Sequence, residues 1–331
     1  MSKKLFILFF LFILSILSLP ACSSPEKKIL KQDRLLQQAA REILGEKRGA
    51  VILMDPQSGR IRAMVNRPWA VEQAFSPGST FKIITALAAL ESGKISPRRE
   101  IICKGKAAVG GISVRCHDPR GHGAVNLEAA LAHSCNIYFY TIGREVGKEP
   151  ILYWARELGL GQPLTLEGGG AAGTLWEPRN TEELLNLAVG DWEGVQVTPL
   201  QLLRAYVAVA GKGELVSPYL ADTAEELKSK NHPPAKALNP GPALEPIQRG
   251  LRYSVFLGTA KQSQGKSYDL LAKTGTATIR GGWGTHAWFL GVAPAQEPKI
   301  ALVVFLWRGT GAKDAASVAQ KILEAWEKIE S

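Results

Sequence analysis

Leu270-Leu-Ala-Lys-Thr-Gly-Thr-Ala-Thr278 reads as a β-run, and the segments able to pair with it lie at both ends of the chain. Two further apolar, β-branched runs follow it, at Ala287–Val292 and Ile300–Leu306. Far upstream, Ala50–Met54 and Arg60–Val65 flank Asp55-Pro-Gln-Ser-Gly59, a hairpin signal of turn-forming residues between two apolar runs. Between these strand sets lies a long, mostly helical middle. One sheet assembled from distant pieces, flanked by helices and interrupted by an all-helical lobe, is an α+β arrangement. Apolar residues at helical spacing from Ile29 to Leu44, stopped by Gly45, predict a helix before the first strand. A closing helix is expected over Ala312–Lys328. The proline-rich stretch Ala221–Pro246 reads as a surface loop, and no internal repeat is evident.

The bulk properties fit a globular, exported protein. The chain has 331 residues, 46% apolar and 21% charged, enough for a substantial core. Its net charge of +10 is spread along the chain without basic blocks or interleaved aromatics, which argues against nucleic acid as a partner. A polyanionic envelope or a substrate carrying carboxylates suits this charge better. Lys3 and Lys4 precede the apolar stretch Leu5–Leu19, which is short for a membrane span, and Leu19-Pro-Ala-Cys22 ends it. Residues 1–22 therefore read as a signal peptide with a lipobox-like end, Cys22 as the lipidated residue, and residues 23–48 as a tether and N-terminal helix. A membrane anchor through the lipid or an uncleaved N-terminus follows. The location would be the outer side of the cytoplasmic membrane or the periplasm.

Export changes how the cysteines are read. Cys103 and Cys116 bracket a Gly-rich segment that looks like a small hairpin, and an oxidising compartment permits a disulfide between them. The loop-entropy model gives such a bond roughly 3 kcal/mol; two buried thiols are the alternative. Cys-x-x-Cys spacing is absent and the five histidines form no ligand pattern, so neither a metal nor another cofactor is expected.

Three motifs carry chemistry. In Phe75-Ser-Pro-Gly-Ser-Thr-Phe-Lys82, a Pro-Gly turn leads into the apolar run Phe81–Leu90, hydrophobic on nearly all sides and hence buried. Ser79 sits at its first turn, with Lys82 three residues on and on the same face. A serine hydroxyl becomes a useful nucleophile when a base takes its proton. A lysine serves as that base once burial, a helix N-terminus or a second cation lowers its pKa. Ser134-Cys-Asn136 offers a hydroxyl to pass a proton to a leaving amine and an amide to hold a peptide backbone. On Lys273-Thr-Gly275 and the following Thr276, alternation places Lys273 and Gly275 on one face and Thr274 and Thr276 on the other. Gly275 leaves room for another backbone, the cation and hydroxyls suit a carboxylate, and an edge strand offers N–H groups to an oxyanion. Taken singly these patterns are weak: Ser-x-x-Lys recurs at Ser24/Lys27 and Ser263/Lys266, and Ser-x-Asn at Ser229/Asn231.

In order and context, the set resembles the transpeptidase domain of penicillin-binding proteins. The likeness extends to Val51–Pro68, Gly121-His-Gly123, Thr198-Pro-Leu-Gln201 and Trp288-Phe-Leu-Gly-Val-Ala-Pro294, and covers residues 49–331. The resemblance implies a β-lactamase/transpeptidase-like fold with a mainly antiparallel sheet. It implies Ser79 as the acylated nucleophile, Lys82 as its base and Ser134 as the proton relay. Asn136 would hold the substrate backbone, and Lys273 and Thr276 the D-alanine carboxylate, with Thr274 and Gly275 completing that strand. The N–H groups of Ser79 and Thr276 would form the oxyanion hole. The partners implied are peptidoglycan stem peptides and β-lactams, and a recruiting envelope protein is expected where a long N-terminal module is lacking. The short stretch between Cys22 and residue 49 leaves no room for such a module, so glycan polymerisation is not expected.

Two rival functions remain. Glu182-Glu-Leu-Leu-Asn186 matches a Glu-x-x-Leu-Asn pattern that supplies a hydrolytic water in one serine β-lactamase class, although its leucines also suit a helix face. A non-turnover β-lactam or muropeptide receptor is the other. Gly190-Asp-Trp-Glu-Gly194 is longer than the Gly-Gln-Gly often found in the family, so the shape of that loop is open.

Overall fold

The computed structural model describes residues 24–164, 166, 169–229, 235–265 and 268–331. The signal-peptide and lipidation readings, Cys22 included, fall outside these residues. Five strands form one antiparallel sheet in the order Leu271–Thr278, Thr285–Ala293, Ile300–Leu306, Gly49–Met54, Ile61–Val65. The N-terminal hairpin joins the C-terminal meander through Gly49–Met54, whose Ala50 lies opposite Phe305 and Ile52 opposite Val303. The strand carrying Lys273, Thr274, Gly275 and Thr276 is therefore an edge.

The two central strands are apolar throughout because both faces of the sheet are covered. Ala50, Ile52, Met54, Ala301, Val303 and Phe305 enter the core shared with the helical lobe. Their alternating neighbours Val51, Leu53, Leu302 and Val304 enter a second core under the terminal helices. This is the period of two expressed as two separate cores. The first terminal helix runs over Pro25–Leu44, four residues earlier than the apolar spacing suggests. Ser24 caps it by accepting from the Lys27 N–H, and Pro25 stands at its first turn, where no partner for an N–H is needed. Most of the expected tether is thus helix, and the Ser24/Lys27 pair is a cap. At the other end, a wide turn over Gly311–Ala315 runs into the helix Ala316–Glu330.

A buried ion network fastens these two helices to the sheet. Asp33 accepts from both Arg60 and Arg62, and Arg62 also pairs with Glu330 at 2.5 Å. The Asp33 and arginine side chains are nearly solvent-free, so each charge depends on its partners.

The inserted lobe is not all-helical. Beside the helices Leu127–Ala132, Asn136–Val146, Lys148–Glu157, Thr181–Val189, Pro199–Ala210 and Leu244–Phe256 it holds short ribbons. Ile101–Cys103 pairs with Gly123–Val125, and Lys106–Val109 with Ile112–Arg115. The latter turns through Gly110 and Gly111, both at positive φ (58° and 82°), the glycine-favoured two-residue hairpin turn. These strands are only three or four residues long, too short to show a period among the helices. The expected loop at Ala221–Pro246 contains the capped turn Ala224–Lys228, and Pro246 lies in the first turn of the helix Leu244–Phe256. No helix among the described residues is long and apolar enough to cross a membrane.

Because Asp33 serves two buried arginines, Asp33→Ala is expected to destabilise the protein by about 3 kcal/mol. Urea unfolding should show this as a lower midpoint with an unchanged slope.

Candidate active site

The turn Gly78–Phe81 carries Ser79 into the helix Lys82–Glu91, and the turn packs against the edge strand. Two glycines set this approach. A Cβ on Gly78 (φ +54°) would lie 2.6 Å from the Thr276 carbonyl oxygen, and one on Gly275 would lie 2.8 Å from Thr80 Cγ2 and 2.9 Å from the Pro77 oxygen. Trp288, directly across from Gly275 in the sheet, donates its indole N–H to the Ser76 carbonyl at 3.0 Å. The Ser79 turn is thereby tied to the second strand as well as the first.

The helix is buried as its sequence predicts, and its lysine is buried with it. Lys82 is 0% exposed. Its Nζ donates to the Ser134 carbonyl at 2.7 Å, to Asn136 Oδ1 at 2.5 Å and to Ser134 Oγ at 3.3 Å. Lys273, also 0% exposed, reaches the same hydroxyl from the edge strand, with Nζ 2.9 Å from Ser134 Oγ and 2.9 Å from the Thr274 carbonyl. Two amines therefore converge on one serine oxygen. Burial brings Lys82 down to about 8. Lys273 is lowered well below the ordinary lysine range by burial first and by the Lys82 charge second. Two full ammonium charges this close and this dry oppose each other, so the pair readily sheds a proton.

Ser134 holds this position at a backbone cost. It adopts φ +54°, a left-handed conformation that non-glycine residues seldom take. The turn lets Ser134 present both its carbonyl and its hydroxyl to Lys82 before the helix Asn136–Val146 begins. Ser79 itself is half-buried, and its hydroxyl has no hydrogen-bond partner among the described residues.

The edge strand separates its residues as alternation predicts. Lys273 turns into the cleft, whereas Thr274 donates its hydroxyl to Thr259 Oγ1 at 2.6 Å, and Thr276 Oγ1 accepts from the Gly311 N–H at 3.1 Å. Thr278, two residues on, sends its N–H away from the neighbouring strand to Asp191 Oδ1 (2.9 Å) and its hydroxyl to Oδ2 (2.8 Å). Alternate residues of a strand point their N–H groups the same way, so the Thr276 N–H also faces the open edge, toward the Ser79 turn.

Asp191 belongs to the loop whose shape the sequence left open. Its neighbours complete a clamp: the Gly190 carbonyl accepts from the Gly78 N–H at 2.9 Å, and the Trp192 carbonyl from the Ser76 hydroxyl at 3.1 Å. One loop thus grips both the Ser79 turn and the end of the edge strand. Neither Asp191 nor Trp288 was singled out as a site residue; the unusual loop and the Trp288–Pro294 segment were the available signals. Glu182 is exposed on the first turn of its helix, capped by Asn180. The decoy Ser263 is buried, with its hydroxyl on the Ala260 carbonyl.

The cysteines also depart from expectation. Cys103 and Cys116 lie at the bases of the predicted hairpin region, but they are free thiols, as is Cys135. With His122 they form a cluster whose four ligand atoms all lie within 4.8 Å of one another. The sequence reading missed it because the ligands come singly from separate elements, without the short spacing that marks a metal motif.

The family profile described as "Penicillin binding protein transpeptidase domain" matches residues 49–324. The chain is 30% identical over 285 residues to stage V sporulation protein D of Bacillus subtilis, covering 76% of this chain and 44% of that protein. It is 26% identical to the peptidoglycan D,D-transpeptidase MrdA of Acinetobacter baumannii, covering 90% and 53%. The chain spans about half the length of these curated relatives. Among solved structures, Pseudomonas aeruginosa PBP2 in complex with WCK 5153 superposes with a TM-score of 0.78 at 27% identity, over 88% of this chain and 76% of that one.

Two predictions follow from the geometry. Gly275→Ala should slow acylation by β-lactams at least tenfold, because the Cβ displaces the Ser79 turn from the strand; stopped-flow acylation of the folded variant reads this. Because only neutral Lys82 accepts a proton, the acylation rate should rise with pH and level off above about 8. A profile flat between pH 6 and 9 would exclude Lys82 as the base.

Proposed function

We propose that this chain, a member of the penicillin-binding-protein transpeptidase family, is a serine D,D-transpeptidase or D,D-carboxypeptidase acting on D-Ala-D-Ala ends of peptidoglycan stem peptides. The observation that carries this reading is the convergence of two buried lysine amines on the Ser134 hydroxyl, one of them from the helix into which the turn of the half-buried Ser79 leads.

In this reading the substrate peptide lies along Leu271–Thr278, with its terminal carboxylate beside Thr276 and within the field of Lys273. The carboxylate favours the charged form of Lys273, which favours the neutral form of Lys82. Ser134 Oγ lies within hydrogen-bond distance of both amines and supplies a route for the proton between them. Neutral Lys82 takes the Ser79 proton as Oγ attacks the penultimate carbonyl. The N–H groups of Ser79 and Thr276 receive the oxyanion. Ser134 passes a proton to the departing D-alanine amine, and an amine or water then takes the acyl group from Ser79. Asn136, which accepts from Lys82 through Oδ1, retains its NH2 group for the substrate backbone. β-Lactams enter the same sequence and leave a stable acyl-serine.

The exposed position of Glu182 disfavours the β-lactamase reading, since that glutamate makes no contact with the lysine pair. Export, lipidation at Cys22 and recruitment by an envelope partner complete the proposed setting.

Full-length chain treated with a fluorescent penicillin and followed by intact mass should gain one adduct that persists for hours, and Ser79→Ala should gain none. An adduct cleared within minutes would establish a β-lactamase instead. Absence of any adduct on folded wild type would sink the enzyme reading.

A further inference from the structure

We propose that two cavities meeting at Trp307 form an anion-binding path for the peptidoglycan strand from which a donor stem peptide hangs. The cations of the path take the carboxylates of neighbouring stems on that strand. This rests on the transpeptidase or carboxypeptidase reading above, and extends it from the reacting peptide to the polymer that carries it.

The path begins where the edge strand ends. Ala277 lies opposite His286, and His286 Nδ1 stands 2.9 Å from the Trp307 carbonyl oxygen. The Trp307 N–H in turn donates to the Arg48 carbonyl at 2.8 Å. These residues make a row across the end of the sheet, roughly 14 Å long at about 4.8 Å per strand. Ala277 shares a face with Lys273, four residues back, so the row lies on the cleft side. One cavity of about 370 Å³ is lined by Phe75, Thr278, Arg280, His286 and Trp307. A second, of about 710 Å³, is lined by Lys47, Arg48, Trp307, Arg308, Lys313 and Lys321. Trp307 borders both. The Arg48 guanidinium is held over two indoles, 5.5 Å from the Trp307 ring centre and 5.4 Å from that of Trp69.

The charge of this surface is one-sided. Lys47, Arg48, Arg280, Arg308, Lys313 and Lys321 line the two cavities, and Asp314 is the one carboxylate among the lining residues. Asp314 is engaged within its own turn, where Oδ2 accepts from the Thr310 N–H at 2.7 Å and the Thr310 hydroxyl at 3.0 Å. Among the described residues, none of the six cations forms an ion pair with a carboxylate. Other exposed arginines of this chain do: Arg99 pairs with Glu145, Arg249 with Glu128 and Glu245, and Arg252 with Asp269. Walls of one sign concentrate the field and draw in a ligand of the other.

The direction of the substrate selects the occupant. With the oxyanion on the Thr276 N–H and the terminal carboxylate toward Lys273, the donor peptide leaves the strand at Thr278. Asp191 already takes the Thr278 N–H, so pairing along the edge stops there. Arg280 donates to the Asp191 carbonyl at 3.2 Å and stands at the mouth of the first cavity. The remainder of the polymer therefore passes over this end of the sheet. Every uncleaved stem on it ends in a carboxylate, which makes the strand a polyanion. Guanidinium forks and amines match those carboxylates, and the Trp307 indole between them offers a flat apolar surface.

A simpler reading is that a chain of net charge +10 carries many solvated surface cations. It does not account for their gathering in two joined cavities, without carboxylate partners, at the point where the donor leaves.

The test measures binding of soluble, uncross-linked glycan strands bearing pentapeptide stems to full-length chain carrying Ser79→Ala, which blocks turnover. Adding Arg308→Glu with Lys321→Glu should raise the dissociation constant about tenfold or more. The same pair with Ser79 intact should be acylated by penicillin within about twofold of the wild-type rate. Should that pair misfold, Lys47→Glu with Lys313→Glu makes the equivalent test. Lys27→Glu with Lys31→Glu changes the net charge equally at the opposite end of the helix Pro25–Leu44 from the cavity, which Ile43 lines. That control should bind as wild type, and an equal loss there would overturn the path as non-specific attraction. Undiminished binding by the cavity variants, or a single stem pentapeptide binding as tightly as the strand, would overturn it too. So would inorganic polyphosphate binding more tightly than strands at equal charge, since phosphate would then be the ligand. A normal penicillin adduct on a chain that binds no strand sinks the path alone, whereas absence of any adduct sinks the reading beneath it.

Discussion

Two lysine amines withdrawn from water onto a single serine hydroxyl are the constraint around which this protein is organised. Desolvating one ammonium costs several kcal/mol, and placing a second beside it adds repulsion. Hydrogen bonds to the Ser134 and Thr274 carbonyls, the Asn136 amide oxygen and the Ser134 hydroxyl offset only part of this. Lys82 belongs to a helix of otherwise mostly apolar, buried residues, and Lys273 to an edge strand. The amines stay together because the surrounding core, packed on both faces of the sheet, fixes the helix and the strand independently of them. The same packing makes the lysines costly to charge and holds both below the ordinary lysine range.

Holding that geometry requires the Ser79 turn, the edge strand and the Ser134 turn to share a very small space. Gly78 and Gly275 admit the first two to backbone contact, and Trp288 and the Gly190–Trp192 loop lock them from either side. The third side is the strained Ser134 turn, a conformation that persists only where its surroundings overdetermine it. The helix Asn136–Val146 supports it from one direction and the Cys103–Cys116–His122–Cys135 cluster from another. The cleft is rigid because its three walls brace one another.

Legibility of the sequence followed the range of the interaction. The strands Gly49–Met54 and Ile300–Leu306 were readable because a run of apolar residues needs only its own composition to be recognised. The helix start was misplaced because Ser24 and Pro25 act through capping and not through apolar spacing. The short ribbons of the lobe were largely hidden, since three-residue strands exist only through their partners. In the site, the motifs pointed to Lys82, Ser134, Asn136 and Lys273, which hydrogen bonds bring together, yet gave no sign of which atoms meet or that Asp191 holds Thr278.

The sequence by itself determined the α+β class, the buried helix behind Ser79, the edge-strand triplet and the polar set Lys82, Ser134, Asn136 and Lys273. Each of these is encoded by residue type at short spacing, through periodicity, turn chemistry or motif. Only the tertiary structure decided which hydroxyl the two lysines share, how the Asp191 loop closes the strand, and that three cysteines and a histidine from four separate segments meet behind the site. Those depend on contacts between separate elements, up to 139 residues apart for Lys273 and Ser134, where proximity is set by how sheet and helices pack and leaves no local pattern to read.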